Sequence, residues 1–145
     1  MPLPFTDLLR SIAAHSNRSD LIPAPKLATT AETGSYGEKV AAAFLRRRGY
    51  KVLYRNYDTE HGEIDLICRL GELLVFVEVR TRGSDAFGTP AESIGEIKRN
   101  ALRYAADRYL ELLDRPEIST RFDAVEVLLV PGQVPHCRLQ ENLFV

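Results

Sequence analysis

At 145 residues, with 45% hydrophobic and 27% charged side chains and a formal net charge of −1, the chain has the make-up of one globular domain with a sizeable core. That balance excludes a whole-molecule pull toward nucleic acid or membrane, so an anionic partner has to be met by a local basic patch. Two widely separated cysteines, Cys68 and Cys137, without CxxC or Cys/His spacing argue against a zinc site, and no run nears the ~18 apolar residues of a membrane span.

Residues 1–33 read as an extension: "PFTDLLRSIAAHS" as a short helix capped by Thr6, then "NRSDLIPAPKLATTAETG" as a linker. Asp7 and Arg10 interrupt the start before a signal-peptide core develops, which points to a reduced, cytoplasmic chain. The main domain, 34–145, opens with "SYGEKVAAAFLRRRGY", a helix that Ser35 can cap and Gly49 can end. Ser35-x-x-Glu38 also fits a capping box, with Glu38 at N3. "YKVLYRNY" follows as a strand and "DTEHG" as a loop; "EIDLIC" and "LLVFVEVRT" are strands joined by a tight turn around "RLGE". After the loop "GSDAFGTP", a helix is predicted from about Ala91 to Leu113, with Ile94, Ile97, Ala101, Ala105 and Leu112 near its buried face. "RFDAVEVLLV" reads as a core strand, Pro131-Gly132 as a turn, and "HCRLQENLF" as an edge strand. The order α, β, β, β, α, β, with one further strand, predicts an α/β fold: a mixed central sheet flanked by helices.

Glu78 stands in an otherwise apolar strand, where a carboxylate must be neutralised, paired or bound to a cation. Alternation puts Phe76, Glu78 and Arg80 on one face of their strand, and Glu63, Asp65 and Ile67 on one face of the preceding strand. With Leu70-Gly71 at the centre of a two-residue turn, Asp65 lies opposite Phe76 and becomes the diagonal, same-face neighbour of Glu78. A three-residue turn would send Glu78 to the other face. Two converging carboxylates, Asp65 and Glu78, with a backbone carbonyl near Val79 and waters, suit Mg²⁺ or Mn²⁺. Arg80 can stabilise the charge of an attacked phosphate. The plainer reading of the same residues is a cross-strand ion pair on a solvated sheet face.

"YGEKVAAAFLRRRGYKVLYRNY", "GEIDLI", "VFVEVRTR", "FGTPAESI" with Lys98, "RFDAVEV" and "ENLF" together resemble the YraN-like family of bacterial proteins, over about residues 34–144. That family resembles the restriction endonuclease-like PD-(D/E)xK superfamily, which includes archaeal Holliday junction resolvases. The resemblance implies an αβββαβ core and a metal-dependent endonuclease acting on DNA, branched DNA among the candidates. It implies that Glu38, Asp65 and Glu78 are the acids of the catalytic site, and it places Arg80 where the superfamily usually has lysine. An arginine there does not readily shuttle a proton, so a DNA-binding or interaction module that keeps the fold without turnover is the alternative.

Candidate contacts to DNA are Arg46, Arg47 and Arg48 at the end of the first helix, Arg82 beyond the acidic strand, and Lys98, Arg99 and Arg103 on the second helix. Each has an ordinary alternative: a helix-dipole complement for Arg46–Arg48 and a solvated face for the second helix. His61, next to the acidic strand, is a weak candidate base. The expected partner is nucleic acid, DNA first, with no membrane and no small-molecule cofactor; resolvase-like action would call for a homodimer.

Overall fold

The computed structural model describes residues 18–83 and 94–144. The predicted N-terminal helix, the "GSDAFGTP" loop after Gly83 and the expected helix start at Ala91 lie outside these residues. Helix α1 spans Thr30–Arg47, β1 Lys51–Thr59, β2 Gly62–Leu70, β3 Leu73–Arg82, α2 Glu96–Leu112, β4 Thr120–Leu128 and β5 His136–Gln140. The five strands form one sheet in sequence order, β1-β2-β3-β4-β5. Only β3 and β4 run parallel, joined through α2, so the expected mixed sheet and αβββαβ order are present.

Helix α1 begins earlier than its sequence suggests. Thr29, not Ser35, is the N-cap: its hydroxyl accepts the Glu32 N–H at 3.1 Å, and Glu32 Oε2 accepts the Ala28 N–H at 3.2 Å. The capping box is therefore built on Thr29 and Glu32, which releases Glu38 into the body of the helix. Gly49 does end the helix, with φ +91°, one residue past the Arg48 cap. The domain likewise extends below residue 34. Ala24 is core, its N–H bonds Gln133 O at 2.7 Å, and Asp20 is buried against the Arg47 guanidinium at 2.9 Å.

One face of the sheet packs on α1, with Val40, Ala41, Leu45, Leu66, Cys68, Val75, Val77, Val125 and Val127 in one cluster. The other packs on α2, through Ile64, Ile67, Leu74 and Phe76 against Leu102, Ala105 and Ala106. The buried stripe of α2 differs from the expected one: Ile97 is 88% exposed, Leu112 is exposed, and Ile94 is buried ahead of the helix rather than in it. Residues 102, 105, 106, 109 and 110 follow the i, i+3, i+4 rule for one face, and a stripe started from Ile97 misses it.

Two glycines permit close layers. A Cβ on Gly37 would overlap the Thr81 hydroxyl between α1 and β3, and one on Gly62 would run into the Ala101 carbonyl on α2. At Gly62 the obstacle is backbone, which cannot rotate away. Gly62→Ala should therefore destabilise the fold by about 1–3 kcal/mol, read as a lower urea midpoint at unchanged slope; an unchanged midpoint would mean that α2 is not fixed there.

Candidate functional site

The β2–β3 turn decides where the acids meet. Leu70 pairs with Leu73, so Gly71-Glu72, not Leu70-Gly71, is the two-residue centre. Gly71 takes φ +61°, as the first central residue of a type II′ turn requires. The register is two residues from the expected one: Ile67 faces Phe76 and Leu66 faces Val77, so the next pair along is Asp65 with Glu78. A shift of two keeps the face, and the same register carried one step further would set the acids opposite each other, although the pairing itself stops at Leu66↔Val77.

The alternation expected on β2 also breaks at Asp65. Leu66 and Cys68 pack on the α1 side, yet Ile64, which should share their face, packs on the α2 side with Ile67. Recorded pairing with β3 ends at Leu66↔Val77, and β1 carries a bulge between Val52 and Tyr54 on the other edge of β2. At this roll of the strand the Asp65 carboxylate reaches across to β3 and accepts the Val79 N–H at 2.7 Å. Glu78 stays on the α2 side, where Lys98 Nζ of the first turn of α2 comes within 3.0 Å of Oε2. The approach is not aligned as a hydrogen bond, so this buried oxygen keeps acceptor capacity.

Both acids are nearly closed to solvent, Asp65 at 6% and Glu78 at 5% exposure. Burial pushes the Asp65 carboxyl well above the usual carboxylate range; the hydrogen bond and the charge of Glu78 add to this, while the Val79 N–H opposes it. The raised Asp65 carboxyl favours its protonated form. Glu38 reaches the same centre from α1: burial raises its carboxyl, a hydrogen bond from Asn56 and the charge of Arg55 oppose, and Glu63 and Glu78 raise it further. Burial pulls the Lys98 ammonium down, but Glu78, helped by Asp65 and Glu63, outweighs that and holds it above its usual range. Among the described residues no group of three or more His, Cys, Asp and Glu side chains is close enough to hold a metal, so the hard donors gathered here are the Asp65–Glu78 pair.

The other candidates occupy different surroundings. In register, Arg80 lies opposite Glu126 of β4, a fully buried acid that Arg82 Nε approaches at 3.1 Å and Arg138 at 3.6 Å. Arg99 and Arg103 lie over the Phe144 ring, 5.7 and 4.7 Å from its centre. That ring is held where it is because the Asn142 N–H donates to buried Asp123 at 3.0 Å, which Tyr50 and Arg121 also bind. Arg46 is half-buried, Arg47 pairs with Asp20, and Arg48 stacks on Phe44 at 4.5 Å. These three close α1, just ahead of Gly49, which lies against Leu70 at the β2–β3 turn. Asp65 and Glu78 are about 16 Å further along those strands. His61 faces Tyr104 edge-on at 5.0 Å with a mostly exposed side chain. Sequence reasoning placed Lys98 on a phosphate-facing helix but missed its contact with Glu78, because no local spacing links residue 98 to residue 78. No helix among the described residues is long and apolar enough to cross a membrane.

A family model, "Uncharacterised protein family UPF0102", matches residues 37–127, a span that contains Glu38, Asp65, Glu78 and Lys98. A UPF0102 protein of Syntrophomonas wolfei is 46% identical over 104 residues, covering 70% of this chain and 89% of its own. One from Nocardia farcinica is 44% identical over 102 residues, 70% of this chain and 80% of its own. One from Symbiobacterium thermophilum is 43% identical over 111 residues, 77% and 94%.

Folding raises the Asp65 pKa, so the folded state holds a proton that the unfolded chain has lost. This contribution to stability is full below about pH 4 and is lost as pH climbs through the raised pKa. In divalent-free buffer the melting temperature of the wild type should fall from about pH 5 to pH 8 more steeply than that of Asp65→Asn. At pH 8 the variant should be more stable by about 1 kcal/mol or more. Parallel profiles would show that no proton is shared.

Proposed function

Because the chain belongs to the uncharacterised protein family UPF0102, and because its acidic centre lies within the matched span, we propose that it is a divalent-metal-dependent endonuclease that hydrolyses DNA phosphodiesters. The observation that carries this reading is the pairing of Asp65 and Glu78 out of water, across two strands, with a lysine ammonium already drawn to one of them. A buried acidic pair of this kind is relieved by a cation.

The residues fit Mg²⁺ or Mn²⁺. The donors are hard oxygens, Glu78 Oε2 has acceptor capacity to give, and Lys98 stands in as a positive charge where the ion would act. Asp65 and Glu78 would hold the ion, with a backbone carbonyl near Val79 and waters filling the remaining positions. Such an ion neutralises a phosphodiester oxygen and makes a water more acidic. Glu38 lends negative potential from α1. In the hydrolysis one P–O bond forms from water, one P–O bond to the sugar breaks, and the water's proton ends on the leaving oxygen. Arg80 and Arg82 at the end of β3 and Arg99 and Arg103 on α2 supply positive charge on the acid-bearing side of the sheet, where a backbone phosphate would lie. Two unpaired cysteines accord with a reducing cytoplasm, and cutting both strands of a branched substrate would call for a homodimer.

The test is incubation of the purified chain with linear, nicked and four-way-junction DNA in Mn²⁺ or Mg²⁺. Cleavage should vanish with a chelator and fall at least about a hundredfold in both Asp65→Asn and Glu78→Gln. Undiminished cutting by either variant would assign the activity elsewhere; junction binding without cutting would favour a binding module.

A further inference from the structure

The basic group closest to the acids comes from the helix, not from the sheet. Lys98 Nζ is 3.0 Å from Glu78 Oε2, and its side chain is 38% exposed, so it touches the buried pair and also reaches solvent. Its position is fixed from both ends of the helix's start. Ile94, just ahead of α2, is buried with Ala124 and Leu143, and the Ala101 backbone abuts Gly62. The strand arginines have a different focus: Arg82 and Arg138 converge on Glu126, the residue opposite Arg80.

Resting on the metal-dependent reading above, we propose that Lys98 is the working base-side cation of the centre and that it shares Glu78 with the divalent ion. In the metal-free protein the ammonium neutralises Glu78. With Glu78 engaged by an ion, Lys98 would be free to turn to a phosphate brought in beside it. The chemistry of lysine suits such an exchange: its ammonium is a point charge with three rotatable donors on a four-carbon stem, free of the fixed fork that holds arginine to one partner. The misaligned contact with Glu78 Oε2 is one that can be surrendered without stranding a well-formed hydrogen bond.

The experiment is calorimetric titration of the full chain with Mn²⁺ alone, in the wild type, Lys98→Met, Lys98→Gln and Arg80→Met, with circular dichroism confirming the fold of each. If the ammonium competes for Glu78, both Lys98 variants bind Mn²⁺ at least about fivefold tighter and Arg80→Met stays within about twofold of the wild type. At saturating Mn²⁺ the Lys98 variants should lose at least about a hundredfold in DNA cleavage, or in Mn²⁺-dependent DNA binding if the wild type does not cut, with a smaller loss in Arg80→Met. Unchanged or weaker Mn²⁺ binding in both Lys98 variants, or a larger loss on the DNA arm in Arg80→Met, overturns the proposal. Failure of the underlying reading looks different: the wild type itself takes up no Mn²⁺ that Asp65→Asn removes, and the inference falls with it.

Discussion

Two carboxyl groups withdrawn from water on neighbouring strands set the terms for everything around them. At Asp65 burial and the nearby charge of Glu78 act in the same direction and hold its carboxyl above the usual range. The surrounding groups answer that one demand. The Val79 N–H points at Asp65, and Lys98 leans on Glu78. An arrangement so poorly satisfied by the protein alone is a reservoir of electrostatic tension, of the sort that functional sites hold and structural cores avoid.

The scaffold is organised to keep that pair in place. A roll in β2 at Asp65, where the pairing of β2 and β3 ends, lets its carboxylate reach across to the β3 backbone. Helix α2 can bring Lys98 close only because Gly62 lets its backbone settle on the sheet, and α1 lies near Thr81 because Gly37 has no side chain. Even the C-terminal "ENLF" segment contributes. Asp123 anchors it through Asn142, and its phenylalanine lies under the arginines of α2. Residues far from the acids thus govern which cations face the cleft.

Membership of the UPF0102 family and the arrangement of the acids support each other, but they answer different questions. Similarity over residues 37–127 says which family the chain belongs to. The geometry shows how those positions are arranged: two buried acids side by side on the sheet, with Lys98 in contact with one of them. The basic residues divide accordingly. Arg46, Arg47 and Arg48 belong to the far end of α1, whereas Lys98, Arg99 and Arg103 ring the acidic side.

Much of this was legible in the chain itself. Alternation in "VFVEVRT" and the turn formers between strands gave the sheet, the alanine-rich helix and its Gly49 stop gave α1, and a carboxylate among valines marked Glu78. These are local properties, encoded by nearest neighbours and by a period of two or 3.6 residues. Tertiary structure decided the rest. Thr29 rather than Ser35 caps α1 because the segment from Asp20 packs on the sheet and carries the helix with it. The turn centred on Gly71-Glu72 set the register that pairs Leu66 with Val77, the residues next to Asp65 and Glu78. Lys98 reached Glu78 through a crossover of twenty residues that no short-range pattern describes. Register and long-range charge pairing are settled by which packing of whole elements leaves the fewest buried groups unmatched, and that comparison exists only once the elements have come together.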